Sequence, residues 1–288
     1  MNFSLVCHDA GAANLIQSWI KYQGINSSFK CYLEGPARII WQNTFPNHNI
    51  CESLDECLNS SSILLSGTGW QSDLEFNAIV KARSMGLKTI AVLDHWVNYL
   101  ERFQRRGQSI YPDELWVFDK HAAKLARSLF PFIPTKVQRN YYLADLISKI
   151  NPLNDLEHQD VLYVLEPIRS KWPINKEGEF EALDFFISQL KCLNIPVGSR
   201  IFLRPHPSDF IGKYNEWIFL HQEFNVFLDE STSLSEAISK AKFVVGCETY
   251  ALVVALSSGR KVYCSLPPWA PPSRLPFDEI VRISEMIS

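Results

Sequence analysis

Phe243-Val244-Val245-Gly246-Cys247-Glu248-Thr249-Tyr250-Ala251-Leu252, running on to Ser257-Ser258-Gly259-Arg260-Lys261-Val262-Tyr263-Cys264, changes pattern three times in a short stretch. A nearly continuous apolar run ends at Gly246, which reads as a strand covered on both faces. A helix starts at about Thr249, and Gly259 stands where the residue after a helix C-cap belongs. A second β-rich run, Lys261–Cys264, follows. Strand, helix and strand in this order make a βαβ unit with parallel strands. The turn from Gly246 to Tyr250 then lies at the carboxyl end of a strand, where open α/β sheets hold their ligands. Glu248 can accept from ribose hydroxyls there. Thr249 and the free N–H groups of the helix start can bind a phosphate. A Thr that merely caps an ordinary helix has the same appearance.

The alternation extends in both directions. Upstream, strands are expected at Phe3–Cys7, Phe29–Leu33, Ser62–Ser66, Lys88–Leu93 and Glu114–Phe118, with helices at Ala13–Gln23, Gln71–Ser84 and Lys120–Leu129. The pattern pauses over residues 140–159, a polar stretch containing Asn151-Pro152. It resumes with strands at Val161–Leu165, Arg200–Arg204, Val226–Leu228, Phe243–Val245 and Lys261–Cys264, and helices at Lys176–Leu193, Ser233–Ala241 and Tyr250–Ser257. We expect an α/β protein of two Rossmann-like domains facing across a cleft, 1–145 and 146–275, closed by a C-terminal helix in 276–288 at Phe277–Ile287.

Composition agrees with this picture and excludes others. The 288 residues suit two domains, at roughly 150 residues each, or one large α/β unit. A hydrophobic share of 47% with 20% charged residues is globular, not disordered. A net charge of −3 argues against a broad nucleic-acid surface. The seven cysteines are scattered, with no CxxC, which disfavours a zinc ribbon or redox site. No apolar run reaches the roughly 18–20 residues of a membrane span, and the N-terminus lacks the basic region of a signal peptide. The expectation is a cytoplasmic protein. The aromatic Pro-rich run from Pro267 to Pro272, with Trp269, hints at a membrane-associated acceptor or partner, and so at the inner face of the membrane.

Four more strand-end loops carry candidate chemistry. In Cys7-His8-Asp9-Ala10-Gly11-Ala12-Ala13-Asn14, small residues admit a ligand to the backbone, and His8, Asp9, Gly11 and Asn14 are candidates for sugar binding. Asp9 as a plain helix cap is the competing reading. Ser66-Gly67-Thr68-Gly69-Trp70 has the same placement and reads equally as a turn with Thr68 or Ser72 as cap. Asp94 ends an apolar strand beside Trp96, Tyr99 and Phe103, the setting of a general base with aromatic faces for a sugar. Arg102, Arg105 and Arg106 can meet a carboxylate or phosphate there, or Asp94 can simply pair with a neighbouring Arg. In Arg204-Pro205-His206-Pro207-Ser208-Asp209, two prolines fix the backbone around His206 and present an imidazole rigidly.

Taken together, the run from Ser233 to Tyr263 resembles the nucleotide-binding half of a B-type (GT-B) glycosyltransferase. Arg204-Pro205-His206-Pro207 resembles the His-Pro motif of bacterial sialyltransferases and capsule Kdo transferases. The resemblance implies an inverting, metal-independent glycosyltransferase without a cofactor, making surface polysaccharide. Its donor would be a CMP-linked nonulosonic acid or Kdo, and its acceptor a glycan or glycolipid. It implies that 146–275 binds the nucleotide sugar and 1–145 the acceptor. His206 would meet the donor phosphate and assist its departure, with Arg204, Ser208, Gly246, Glu248, Thr249 and Tyr250 around the nucleotide. The catalytic base would map to Asp94, with Asp9 as second candidate, and the acceptor side to His8, Gly11, Asn14, Trp96 and Arg102. Two departures stand out. Tyr250 follows Thr249 where the family doubles Ser/Thr, and His95 follows Asp94 where sialyltransferases have Gly. Relatives of the same fold include UDP-GlcNAc 2-epimerases and CDP-glycerol and pyruvyl transferases. These, and a non-catalytic nucleotide-sugar-binding protein, are the alternatives.

Overall fold

The computed structural model describes residues 2–25, 29–69, 72–153, 159–168, 172 and 176–286. The chain forms two compact units, Met1–Ala144 and Asp145–Ser288.

The N-terminal unit runs β1 (Phe3–Cys7), α1 (Ala10–Gln23), β2 (Phe29–Leu33), α2 (Gly35–Thr44), α3 (Leu54–Leu58), β3 (Ile63–Ser66), α4 (Leu74–Ser84), β4 (Lys88–Val92) and α5 (Tyr99–Arg102). Then come a small hairpin, β5 (Gln104–Arg105) and β6 (Gln108–Ser109), and β7 (Glu114–Val117), α6 (Lys120–Leu129) and β8 (Thr135–Val137). Helix α7 (Tyr141–Ser148) spans the division between units. The six-stranded sheet has the order β2-β1-β3-β4-β7-β8, all parallel. Its apolar strands are covered, and Leu5, Leu33, Leu65 and Val92 pack with Ile16, Ile20 and Trp41 of the helices. Successive strands go first to one side of β1 and then to the other. The order therefore reverses between β1 and β3, which places the loops after Cys7 and Ser66 side by side.

The C-terminal unit continues with β9 (Val161–Val164), α8 (Gly178–Gln189), β10 (Ile201–Arg204), α9 (Asn215–Leu220), β11 (Val226–Leu228), α10 (Leu234–Lys240), β12 (Phe243–Gly246), α11 (Tyr250–Ser257), β13 (Lys261–Cys264) and β14 (Val281–Arg282). Its parallel sheet has the order β11-β10-β9-β12-β13-β14. The order reverses between β9 and β12. The loops after these strands are thus neighbours although about 80 residues separate them in sequence, a separation read from Glu248 and its partner Glu166. The core gathers Tyr163, Leu183, Phe186, Leu203, Trp217 and Phe243.

Several expectations need correction. The stretch expected as a final helix, Phe277–Ile287, instead holds the edge strand β14 and a 3-10 turn, Ile283–Met286; Ile287 lies outside the described residues. Ile283 is fully buried, so its side chain anchors the tail to the sheet core and not to a helix face. Helix α1 begins at Ala10 and not Ala13, because Ala10, Gly11 and Ala12 form its first turn. The long helix expected to Leu193 ends at Gln189, followed by a 3-10 turn, Leu190–Cys192. Trp70 and Gln71 lie outside the described residues. Helices α2, α3, α5, α7 and α9 had no counterpart in the sequence reading. For α2 a signal was present: Pro36 stands in its first turn, where a missing N–H costs nothing.

Candidate functional site

In the C-terminal unit the strand-end turn after β12 sits where β9 ends. A Cβ on Gly246 would lie 2.8 Å from the Val164 carbonyl oxygen, so only glycine allows this approach. The Glu248 N–H donates to Glu166 Oε1 at 2.5 Å. Glu248 in turn binds Arg274 through Nη2–Oε2 at 2.8 Å, and its other oxygen accepts from the Arg274 N–H. Glu166, Glu248 and Arg274 line a cavity of about 400 Å³, together with Trp172, Leu266 and Pro271. Burial pushes the Glu166 carboxyl up to about 7. The Glu248 charge adds to this, while the Glu248 N–H and Arg274 oppose it. Thr249 caps α11, its hydroxyl accepting from the Ala251 N–H at 3.3 Å. That is the capping role weighed from the sequence.

His206 lies beyond β10, the strand next to β9 on the other side. It is exposed. The Ser208 N–H donates to His206 Nδ1 at 3.2 Å, and the Ser208 hydroxyl lies 2.8 Å from the same nitrogen. A backbone N–H can only donate, so Nδ1 is an acceptor and the neutral ring carries its proton on Nε2. The His206 N–H is held by Asp209 Oδ2 at 2.9 Å. Asp209 also binds Lys213 Nζ at 2.9 Å, and Lys213 reaches Glu179 at 2.5 Å. Glu179 accepts from the Ile168 N–H at 3.1 Å. A buried charged chain from the first turn of α8 therefore fixes both the His206 turn and the loop after β9. Next to it, Glu181 accepts from the Trp269 indole at 2.7 Å, pinning the Pro-rich segment. Trp269 is thus tied into the fold, and its ring stands edge-on to Phe185 at 5.8 Å. Arg204, expected beside the nucleotide, uses its Nη1 on Asp229 at 2.5 Å and on the Ser231 carbonyl. Arg274 is the cation at the Glu248 turn instead.

In the N-terminal unit the loops after β1, β3 and β4 converge. Asp94 Oδ1 pairs with Arg102 Nη1 at 2.6 Å, and Arg102 also donates to Thr68 Oγ1 at 2.9 Å and to the Val97 carbonyl. A Cβ on Gly11 would fall 1.9 Å from Asp94 Oδ2, and one on Gly69 would fall 2.5 Å from Asp9 Oδ2. Glycine at both positions is what lets the two carboxylates lie against the backbone. Asp9 does not cap α1; its side chain pairs with His8 Nδ1 at 2.8 Å. Glu75, almost fully buried, accepts from the His8 N–H at 2.7 Å, and burial raises its carboxyl. Asn14 accepts from Gln17 at 3.1 Å.

Two proposed contacts to a sugar are corrected here. Trp96 is buried and donates its indole N–H to Asp119 at 2.9 Å, while Tyr99 and Phe103 are core residues. None of the three offers an open ring face. Arg102 is buried as well and orients Asp94 instead of meeting a ligand. Arg105 is bound to Asp73 and to the Gly69 carbonyl. Glu166, Arg274, Glu75, Glu179 and Lys213 were not singled out from the sequence. Glu166 had a usable signal, a carboxylate directly after an apolar strand. Arg274 had none.

Among the described residues no group of three or more His, Cys, Asp or Glu side chains is placed to hold a metal ion, and no helix is long and apolar enough to cross a membrane.

No family model and no curated protein matches the sequence. Solved structures do match the fold. The UDP-GlcNAc 2-epimerase from Methanocaldococcus jannaschii superposes with a TM-score of 0.65 at 9% identity, covering 100% of this chain and 91% of that one. The Neisseria meningitidis UDP-GlcNAc 2-epimerase bound to UDP-GlcNAc gives 0.58 at 13% identity, covering 92% and 82%. The glycotransferase of kitacinnamycin gives 0.53 at 11% identity, covering 94% and 81%. The chain therefore has the GT-B-like fold of two Rossmann-type α/β units, a fold shared by nucleotide-sugar epimerases and glycosyltransferases.

Proposed function

We propose that the chain is a glycosyltransferase that takes a nucleotide-activated sugar at the carboxyl edge of its C-terminal sheet and passes the sugar, with inversion, to an acceptor hydroxyl. The observation that carries this reading is what meets at that edge: an exposed His206 whose turn is held by Asp209 and Ser208, the Glu166–Glu248–Arg274 cavity and the start of α11. His206 donates its Nε2–H as a hydrogen bond to the departing phosphate and stabilises the charge that builds there as the bond to the anomeric carbon breaks. The acceptor hydroxyl loses its proton to Asp94, which Arg102 holds in one orientation, with Asp9 as the alternative base. An acid or base of this kind contributes about 10²–10⁴-fold in rate. The resemblance of Arg204-Pro205-His206-Pro207 favours a CMP-linked acidic sugar as donor, and a glycan or glycolipid as acceptor.

The test is turnover of CMP-linked nonulosonic acid or Kdo by the purified protein, with His206→Ala and Asp94→Ala beside it. Each variant is expected to keep its fold and to lose at least 100-fold in rate, the lower bound for acid–base catalysis being about 10². Full activity in either removes that residue from the mechanism. A second reading, sugar epimerisation at C2, is favoured by the superposed epimerases and by three carboxylates in the N-terminal unit: Asp9 and Asp94 in the loops after β1 and β4, and Glu75 of α4 beside them. Interconversion of UDP-GlcNAc without any acceptor would replace the transferase reading.

A further inference from the structure

The walls of the cavity after β9, β12 and β13 combine carboxylates with apolar side chains. Among the described residues that line it, Glu166 and Glu248 stand beside one cation, Arg274, which is bound to Glu248. Its other walls are apolar: Pro167, Ile168, Leu266 and Pro271. The part of a nucleotide sugar that suits such a space is the uncharged, planar base.

The hydrogen-bonding character of the cavity is directional. Glu166 Oε1 accepts from the Glu248 N–H, so a proton on this carboxyl sits on Oε2 and makes Glu166 an O–H donor. Glu248 is an acceptor. A donor at Glu166 beside an acceptor at Glu248 complements the pairing edge of cytosine, which sets ring N3, an acceptor, next to its exocyclic amine, a donor. Uracil has an N–H at ring position 3, and a donor facing the Glu166 O–H is left unpaired.

We propose that Glu166 determines base specificity, accepting a cytosine nucleotide through its protonated carboxyl and rejecting uracil. The inference rests on the reading of this edge as a nucleotide site. Glu166 holds its proton near neutrality because burial penalises its charge, and the Glu248 charge adds to this; the Glu248 N–H and Arg274 act in the other direction. Cys247, a further titratable neighbour among the described residues, is a buried thiol pushed well up, chiefly by burial and next by Glu166. Once Glu166 ionises, its oxygen can only accept, which matches the uracil N–H and not cytosine N3.

The experiment is calorimetric binding of CMP and UMP between pH 6 and 8.5 to the full chain and to Glu166→Gln and Glu166→Leu. Both ligands carry the same phosphate, so its titration cancels in the affinity ratio. The wild type is expected to favour CMP at pH 6, by roughly tenfold or more for one satisfied against one unpaired polar group. That preference shrinks above pH 7 and turns toward UMP. Glu166→Gln, which still accepts from Glu248 and donates to the base, keeps the CMP preference at every pH. Glu166→Leu loses the preference. Binding of both nucleotides with a ratio that moves neither with pH nor with these variants overturns the role of Glu166 and leaves the nucleotide site standing. Failure of the wild type to bind either nucleotide overturns the site itself, and this inference with it.

Discussion

At the scale of single residues, the N-terminal carboxylates depend on what glycine lacks. A methyl group on Gly11 would fall 1.9 Å from Asp94 Oδ2, well inside contact distance. Asp94 cannot simply turn away, since Arg102 holds its other oxygen. Gly11→Ala is therefore expected to destabilise the protein by about 1–3 kcal/mol, the usual cost of overpacking, although alanine is the better helix former. A thermal melt equal to wild type would show that Asp94 is not fixed against the helix. The sequence displayed Gly11 and Asp94 as separate features of two loops, 83 positions apart by their numbering. Their contact follows from strand order, which brings the ends of β1 and β4 to one edge of the sheet. Arg102 and Trp96 misled for the opposite reason. Charge and aromaticity are readable from sequence, but whether the group faces a ligand or a buried partner is set by packing.

Elements are joined by buried charges. Lys213 answers two carboxylates, Glu179 on α8 and Asp209 in the His206 turn, and all three are mostly buried. Lys213→Met removes the shared cation and leaves both acids uncompensated. It is expected to cost about 3–5 kcal/mol in chemical denaturation, the range for breaking one partner out of a buried pair. A smaller loss than in an exposed control such as Lys240→Met would show that the chain is not held by this network. A similar joint closes the far side of the N-terminal sheet. Glu114 on β7 binds Lys88 on β4, Lys136 on β8 and the Trp116 indole. Burial alone would raise its carboxyl, but the hydrogen bonds from Lys88, Trp116 and Lys136 win and hold it down to about 2. A depressed carboxyl stabilises the fold above its unfolded value, 4.5, and that contribution is lost as pH falls toward 2. Glu114→Gln is thus expected to be less stable than wild type at pH 7, with the two stability curves converging between pH 4.5 and 2. Parallel curves over that interval would remove Glu114 as the source of acid sensitivity.

At the scale of the whole molecule, the two units share an architecture. Each has a parallel sheet with one reversal of strand order, and each gathers its chemistry at the carboxyl edge beside that reversal. Ligand binding at one edge predicts a polarised response. Saturating CMP, at about 100 times its dissociation constant, is expected to add about 2.7 kcal/mol of stability. Hydrogen exchange should slow at 166–168, 205–209, 247–250 and 266–274, and stay unchanged at the amino-edge turn 195–200. Equal protection at both edges would place the nucleotide elsewhere. The α/β class and most of the central strands were determined by the sequence alone, because strands buried on both faces must be apolar throughout and must be separated by helices. The strand-end turns of His206 and Glu248 were legible for the same reason. The pairing of Glu166 with Glu248, the diversion of Arg204 to Asp229, the arrival of Arg274 and the replacement of the expected last helix by an edge strand were decided only in three dimensions. These depend on which strands become neighbours and on which charges lose water together, and no local pattern of residues encodes either.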